Sequence, residues 1–507
     1  MTLAADSSPA PVHWKFSQVF GEQAPGEEIL DGDVISAIDF DRDGDHLAVG
    51  DKAGRVVIFR RTDTAEISES RKEVEKLDFS RTTHPEFYFK TEFQSHEPEF
   101  DYLKSIEIPE KINKVKWCTT PNGPLCILST NDKTVKLWKI KEHTVKKVNQ
   151  VDQNPHVCSE NMLLAEGSFE AGQHQPVMSN GYQLEWTDKP SANSLITQEG
   201  NSMISAMEDN STPICRKVYA HAHDFNINSI STNSDGETFI SADDLRINLW
   251  NMEISNQCFN IIDMKPSNME DLTEVITSAA FHPSHCNVLA YSSTRGFIRL
   301  VDMRRSALCD HSARILKDEE SNGLKSLFTE IISAISDIKF TCDGMHILSR
   351  DYMSLKLWDT RKESSPVATY KVHENLRPKL SDLYNDDSIF DKFDCCVSGQ
   401  ALHFATGSYS NHLRLFSYGV RNGEGGTVEA CRNGSRKSNA DAAAPRRRRS
   451  SLSNLTRGFS RYGRESSVWD SNQASFDMSS KILHMAWHPT ANLIACSSGS
   501  SLFTYYA

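Results

Sequence analysis

Four clusters in this 507-residue chain have side-chain types and spacings that could perform chemistry. His221-Ala-His223 and His282-Pro-Ser-His285 superficially match metal-ligand spacing. Neither is joined by a carboxylate or cysteine set at a recognisable interval, as a closed zinc site requires, so both read as structural histidines. Asp243-Asp244, in ISADDLRINLW, places two carboxylates at one turn. One can bond to its own backbone while the other points outward and draws in Lys/Arg-rich peptides; position alone leaves the outward role open. Arg446–Arg449 followed by Ser450, Ser451 and Ser453 fits a target of basophilic kinases. Its other readings are a localisation patch, a nucleic-acid contact or a plain solvated loop, and a phosphate there would remove about 1.5–2 units of positive charge per site. The phosphate-cradling G-x-x-x-x-G-K-[ST] and the G-x-S-x-G elbow are both missing from the sequence. Catalysis, a resident metal and a cofactor are therefore not expected.

The elements that must position these clusters repeat. A strand-like tail recurs as VVIF (Val56–Phe59), VKLW (Val135–Trp138), INLW (Ile247–Trp250), IRLV (Ile298–Val301), LKLW (Leu355–Trp358), LRLF (Leu413–Phe416) and SLFTYY near the C-terminus. An apolar strand precedes it by 23 to 26 positions in the pairs Ile35–Phe59, Ile112–Trp138, Ile227–Trp250 and Ile335–Trp358. Period-two alternation broken by DRDG-type turns gives strand–turn–strand–turn–strand. Seven such units predict an all-β, seven-bladed WD-repeat β-propeller over residues 13–507. The last copy supplies three strands, so HWKFSQVF (His13–Phe20) is expected to complete that blade and remove the exposed edges.

Three stretches depart from the repeat. Residues 81–108, dense in Phe, Tyr and Glu, predict a hairpin arm projecting from the second blade, with two aromatic strands around a polar SHEPE turn. A bare hairpin is marginal in water, so an aromatic one should rest on its own propeller or on another protein. Residues 143–212 read as a partly flexible insertion, and residues 420–479 as a disordered, basic, Ser-rich one.

Charge narrows the partners. The formal net charge of −13 conceals a local +9 in residues 431–464, which leaves −22 on the remainder. An acidic platform with one basic loop favours cationic protein partners over nucleic acid. No apolar run is long enough to suggest a membrane span. The opening MTLAADSSPAPVHWKF lacks the basic start and apolar core of a secretory signal, so secretion is not expected. Twelve cysteines without a C-x-x-C pair read as reduced, half-buried small hydrophobes, with Cys395 and Cys396 facing opposite sides of a strand.

FQSHEPEFDYLKS, STNDKTVKLWKI, SADDLRINLW, MEDLTEVITSAAFHP, RDYMSLKLWD, SIFDKF and ILHMAWHP together resemble the B-type, 55 kDa class, WD-repeat regulatory subunits of protein phosphatase 2A. The resemblance runs through all seven blades and fails in residues 143–212 and 420–479. It implies a non-catalytic subunit that joins a helical-repeat scaffold subunit and a catalytic subunit in a heterotrimer. Such a subunit recruits phosphoserine and phosphothreonine substrates to the catalytic subunit. The arm would grip the scaffold, with Phe87, Phe89, Phe93, Phe100 and Tyr102 as its apolar contacts and Glu97 and Glu99 setting orientation. Residues implied for basic-hydrophobic substrates are Lys52, Asp244, Leu272, Val275, Phe328, Tyr384 and Lys392. Phe225-Asn226 stands where relatives usually carry Tyr-His, and Asn385 where an acidic residue is common, so substrate preference is expected to differ. A cytoplasmic location with a nuclear share is expected. The rival expectation is a generic WD-repeat adaptor, such as a ubiquitin-ligase substrate receptor, which would not need the aromatic arm.

Overall fold

In the computed structural model, the described residues are 12–21, 30–62, 85–119, 124–143, 210–309, 312–318, 327–419, 425–430 and 477–507. They form seven antiparallel four-stranded sheets. The first strands are Ile35–Phe40, Lys114–Trp117, Ser229–Thr232, Ile276–Phe281, Ile335–Phe340, Cys395–Val397 and Met485–Trp487. All seven line one central channel of about 660 Å³. Each packs on the next, and the seventh on the first, so the ring is closed.

Side-chain alternation explains why the sheets stack around an axis. Residues on opposite faces of a strand pack in different seams between blades. Leu47 joins Phe40, Phe59 and Leu493 on one side of the first blade, while neighbouring Ala48 joins Ile112 and Ile127 on the other. Cys395 and Cys396 divide the same way: the first packs with Tyr370 and Phe404, the second with Met485 and Trp487.

The seventh sheet is completed by Lys15–Phe20, which pairs antiparallel with Ser501–Tyr506. Trp14 meets Trp487 edge-on at 5.3 Å and Phe16 meets Tyr505 at 6.0 Å, so aromatic packing accompanies the pairing. On the turn after the first strand, Gly44 and Gly344 have φ of +80° and +69° and lie against the rings of His488 and His282. A Cβ at either glycine would stand 2.1–2.2 Å from that ring. His282 is thereby fixed as a packing residue, its Nδ1 accepting the backbone N–H groups of Ser284 and His285. Among the described residues no cluster suits a metal ion.

The aromatic arm differs from the expectation. Phe87–Gln94 is the fourth strand of the first blade, paired along its length with Arg55–Arg61. Ser95 and His96, in the expected turn, are buried, with Ser95 Oγ 2.6 Å from Ser129 Oγ. The hairpin itself is shorter, Glu99–Asp101 paired with Ile106–Ile108. Phe87 and Phe93, expected as scaffold contacts, are 2% and 9% exposed: Phe93 packs on Trp138 at 4.5 Å and Phe87 on Phe40 at 5.7 Å. Alternation along a blade strand turned these rings into the seams, so they are core. Phe89, Phe100 and Tyr102 remain exposed.

Two further strands overlap the expected insertions, one beginning at the end of residues 143–212 and one inside 420–479. Asn210–Tyr219 is the fourth strand of the second blade and Gly426–Glu429 that of the sixth. Most of residues 143–212 and 420–479, with Arg446–Arg449, Ser450 and Ser451, lies outside the described residues, as do residues 81–84. Among those described, no helix is long and apolar enough to cross a membrane.

Candidate functional site

A four-stranded meander brings two kinds of connection to one end of each blade: the turn between its second and third strands, and the link from its fourth strand to the next blade. Backbone hydrogen bonds join them across the seams. Ile112 N–H donates to Asp51 O at 3.0 Å, Ile227 N–H to Asp132 O at 2.9 Å, and Ile276 N–H to Asp244 O at 2.7 Å. Ile482 N–H donates to Ser408 O at 3.1 Å and Ile35 N–H to Gly499 O at 3.0 Å. Every candidate substrate residue lies on one of these connections. Lys52 and Asp244 occupy second-to-third turns, whereas Leu272, Val275, Phe328, Tyr384 and Lys392 occupy links between blades. The seven are therefore on one face.

The adjacent carboxylates Asp243 and Asp244 have separate roles. Asp243 is fully buried. Its Oδ2 lies 2.9 Å from His223 Nδ1, and His223 Nε2 lies 2.6 Å from Ser241 Oγ, which accepts Trp250 Nε1–H at 2.8 Å. Asp243 Oδ1 also accepts the backbone N–H groups of Leu245 and Arg246. Burial pushes this carboxyl up, but the His223 contact and the two N–H bonds outweigh it and hold its pKa below the usual range. Asp244 is half-buried and is raised instead, chiefly by burial and by its like-charged neighbour Asp243, with Lys392 and Asn228 opposing. Asp243 organises its blade, and Asp244 is a desolvated carboxylate at the platform surface, the state in which a cationic ligand gains most.

Around Asp244 the side chains are mixed. Val275 directly precedes the seam residue Ile276, and its N–H donates to Thr294 Oγ1 at 3.2 Å. Leu272 ends the short turn Met269–Asp271, which Asn268 caps by accepting Glu270 N–H. Phe328 opens helix α1 (Leu327–Ser333), and Tyr384 lies on helix α2 (Leu380–Asn385). Their ring centroids are 6.0 Å apart, and Phe390 is 5.9 Å beyond Tyr384. Phe328 packs on a core of Tyr352, Leu376, Leu383, Phe393 and Tyr409, while Tyr384 and Phe390 are exposed. Lys392, exposed, stands close enough to Asp244 to stabilise its charge. Lys52 pairs with Asp31 at 2.7 Å. Of the departures noted in the sequence, Asn226 and Asn385 are exposed and Phe225 is half-buried.

Sequence reasoning missed two lysines at the same seams. Lys111 precedes Ile112 and Lys133 follows Asp132, which puts Lys111 beside Lys52 and Lys133 beside Asn226. Their visible signal was only their place next to a repeat boundary. The hairpin also rises on this face, because it belongs to the link between the first and second blades. Its tip exposes Tyr102 and Leu103 by 86% and 98%, and Lys104 Nζ pairs with Asp224 Oδ1 at 2.9 Å.

Comparison with known proteins agrees with this architecture. The WD domain, G-beta repeat family matches residues 214–251, which span the end of the second blade's last strand and the first three strands of the third blade. A solved structure, Chaetomium thermophilum Raptor, is similar in fold with a TM-score of 0.50 at 11% identity, covering 94% of this chain and 28% of that one. The B beta isoform of the serine/threonine protein phosphatase 2A 55 kDa regulatory subunit from Arabidopsis thaliana is 54% identical over 99% of both chains. The B-type regulatory subunit of protein phosphatase PP2A from Schizosaccharomyces pombe is 44% identical over 97% of both. The Dictyostelium discoideum regulatory subunit phr2AB is 43% identical over 98% of this chain and 99% of its own. A closed seven-bladed ring, alike along nearly its whole length to these proteins, is a regulatory and not a catalytic chain: it belongs to the family of 55 kDa, B-type regulatory subunits of serine/threonine protein phosphatase 2A.

Proposed function

We propose that this chain docks on the scaffold subunit of a phosphatase 2A heterotrimer and presents basic-hydrophobic protein substrates to the catalytic subunit. The single observation that carries the reading is the convergence of Lys52, Asp244, Leu272, Val275, Phe328, Tyr384 and Lys392 on one face. Asp244 would pair with a basic substrate side chain, and Leu272 and Val275 with an apolar one. Phe328 and Tyr384 would supply an aromatic wall. Tethering a substrate next to the catalytic metals raises its local concentration, to about the millimolar range for a short flexible link. Phe89, Phe100 and Tyr102 are the candidate contacts to the scaffold, and the protein would act in the cytoplasm with a nuclear share.

The test is co-purification of the intact chain from cells, scored for scaffold and catalytic subunits, together with a dephosphorylation assay on the purified trimer. Asp244→Asn should leave the trimer assembled and slow dephosphorylation of a basic-hydrophobic phosphopeptide at least several-fold. Recovery of neither partner with the unaltered chain would overturn the reading.

A further inference from the structure

One position of the repeat ties a blade to the next, and its residue type changes with the turn beside it. It is the residue after the seam isoleucine that opens the blade. In the first blade Ser36 Oγ–H donates to Ile112 O at 2.6 Å, and in the fifth Ser336 Oγ–H donates to Phe393 O at 2.7 Å. In the second blade Asn113 Nδ2–H donates to Ile227 O at 2.9 Å, and in the third Asn228 Nδ2–H donates to Ile276 O at 2.9 Å. Each side chain thus clasps a backbone carbonyl of the following blade. Strand register identifies the turn residue that belongs with each. Gly50 pairs with Val56, Thr130 with Val135, Ala242 with Ile247 and Arg350 with Leu355, so Lys52, Asp132, Asp244 and Tyr352, two residues on, are equivalent. In these four blades asparagine stands where that turn residue is aspartate, and serine where it is lysine or tyrosine.

The difference is chemical. A hydroxyl has one proton, which the carbonyl uses, whereas a carboxamide has two N–H donors and an acceptor. The second blade shows what the extra donor does: Asn113 Nδ2–H also donates to Asp132 Oδ1, at 2.7 Å. In the third blade the partners of Asn228 fix which way its amide faces. Ser229 Oγ–H donates to Asn228 Oδ1 at 2.7 Å while its oxygen accepts Ala279 N–H at 3.1 Å, and the amide nitrogen turns to Ile276 O. Ile276 donates its own N–H to Asp244 O at 2.7 Å. One residue of the fourth blade therefore holds the amide of Asn228 and the backbone of Asp244 side by side. The second N–H of Asn228 is the counterpart of the one that Asn113 gives to Asp132. It helps to keep Asp244 ionised against burial and the charge of Asp243.

We propose that Asn228 is a positioning residue for Asp244: its carboxamide holds the carboxylate and the Ile276 carbonyl at once, and so aims the acidic subsite beside the apolar one at Leu272 and Val275. The inference rests on the reading of Asp244 as the group that meets a basic substrate side chain, and it names what orients that group. Val275 directly precedes Ile276, so the clasp acts on the link that carries both apolar residues. A carboxylate already held by its neighbours meets a cation without first losing side-chain freedom.

The experiment measures anisotropy of a short labelled probe containing Arg and Leu, titrated with the full chain from neutral to mildly acidic pH, beside melting temperatures. Asn228→Ser should keep the melting temperature, because Ser36 and Ser336 hold the same type of carbonyl, yet weaken the probe about tenfold. The amide favours the charged carboxylate, so its loss should also move the acid limb of binding to higher pH, with Asp243, Lys133 and Lys392 unchanged near Asp244. Asn113→Ser makes the same change one blade away and should leave that limb where it was. In the Asp244→Asn background, Asn228→Ser should have no further effect. Asn228→Ser that binds the probe as tightly as the unaltered chain, with the same acid limb, overturns the proposal. So does weakening that persists in the Asp244→Asn background, or that comes with a matching fall in melting temperature, since either marks a purely structural role. Asp244→Asn that binds the probe as tightly as the unaltered chain instead defeats the reading of the substrate face, and this inference falls with it.

Discussion

Adjacent residues of one type have opposite energetic signs here. Asp243 is ionised more readily in the folded chain than in the unfolded one, so its contribution is complete above the unfolded carboxylate pKa of about 3.9 and is lost as pH falls through its lower folded value. Asp244 has a raised folded pKa, so stability falls as pH rises from the unfolded to the folded value. Asp243→Ala should therefore destabilise by on the order of 3 kcal/mol at pH 7, because it leaves His223 buried beside a lost partner. Asp244→Asn should be neutral or slightly stabilising under the same conditions. Urea denaturation of the two variants checks the pair, and loss of stability in both would refute the division of roles. From sequence the turn was visible and its two acids were not separable. The choice depends on where His223, twenty residues earlier, delivers its ring.

At the scale of elements, the repeated turn and the joining strand are the exposed points of failure. Gly44→Ala and Gly344→Ala force a side chain into positive φ and into the rings of His488 and His282, so each should cost about 2–3 kcal/mol in denaturant titration. Alanine at Gly419, also at positive φ but with open space where a Cβ would stand, should cost less. Removing residues 1–21 deletes Lys15–Phe20 and frees the edge of Ser501–Tyr506. That variant is expected to aggregate on size-exclusion chromatography at concentrations where the intact chain is monodisperse. Strand tails and turn signals were legible because period-two alternation is local. The aromatic arm was misjudged for the complementary reason: Phe87 and Phe93 lie on one blade strand whose register shift between them sends the two rings into opposite seams, and an aromatic density says nothing about which neighbour covers it.

For the whole molecule, net charge and surface pattern govern partners together. An acidic platform, on a chain of formal net charge −13, should lose affinity for basic peptides as ionic strength rises past the point where the Debye length falls below about 10 Å. Fluorescence titration of an Arg-rich probe between low and high salt measures this, and a salt-independent affinity would exclude electrostatic capture. The sequence by itself determined the seven repeats, the strand boundaries of most blades and the regulatory family, because periodicity and long motif runs are one-dimensional properties. Only the tertiary structure decided which residues share a face and which acid is buried. Only it set Lys111 and Lys133, far apart in the chain from Lys392, on one face. Ring closure brings distant links together through seam hydrogen bonds, and burial and charge at a seam depend on both blades that form it.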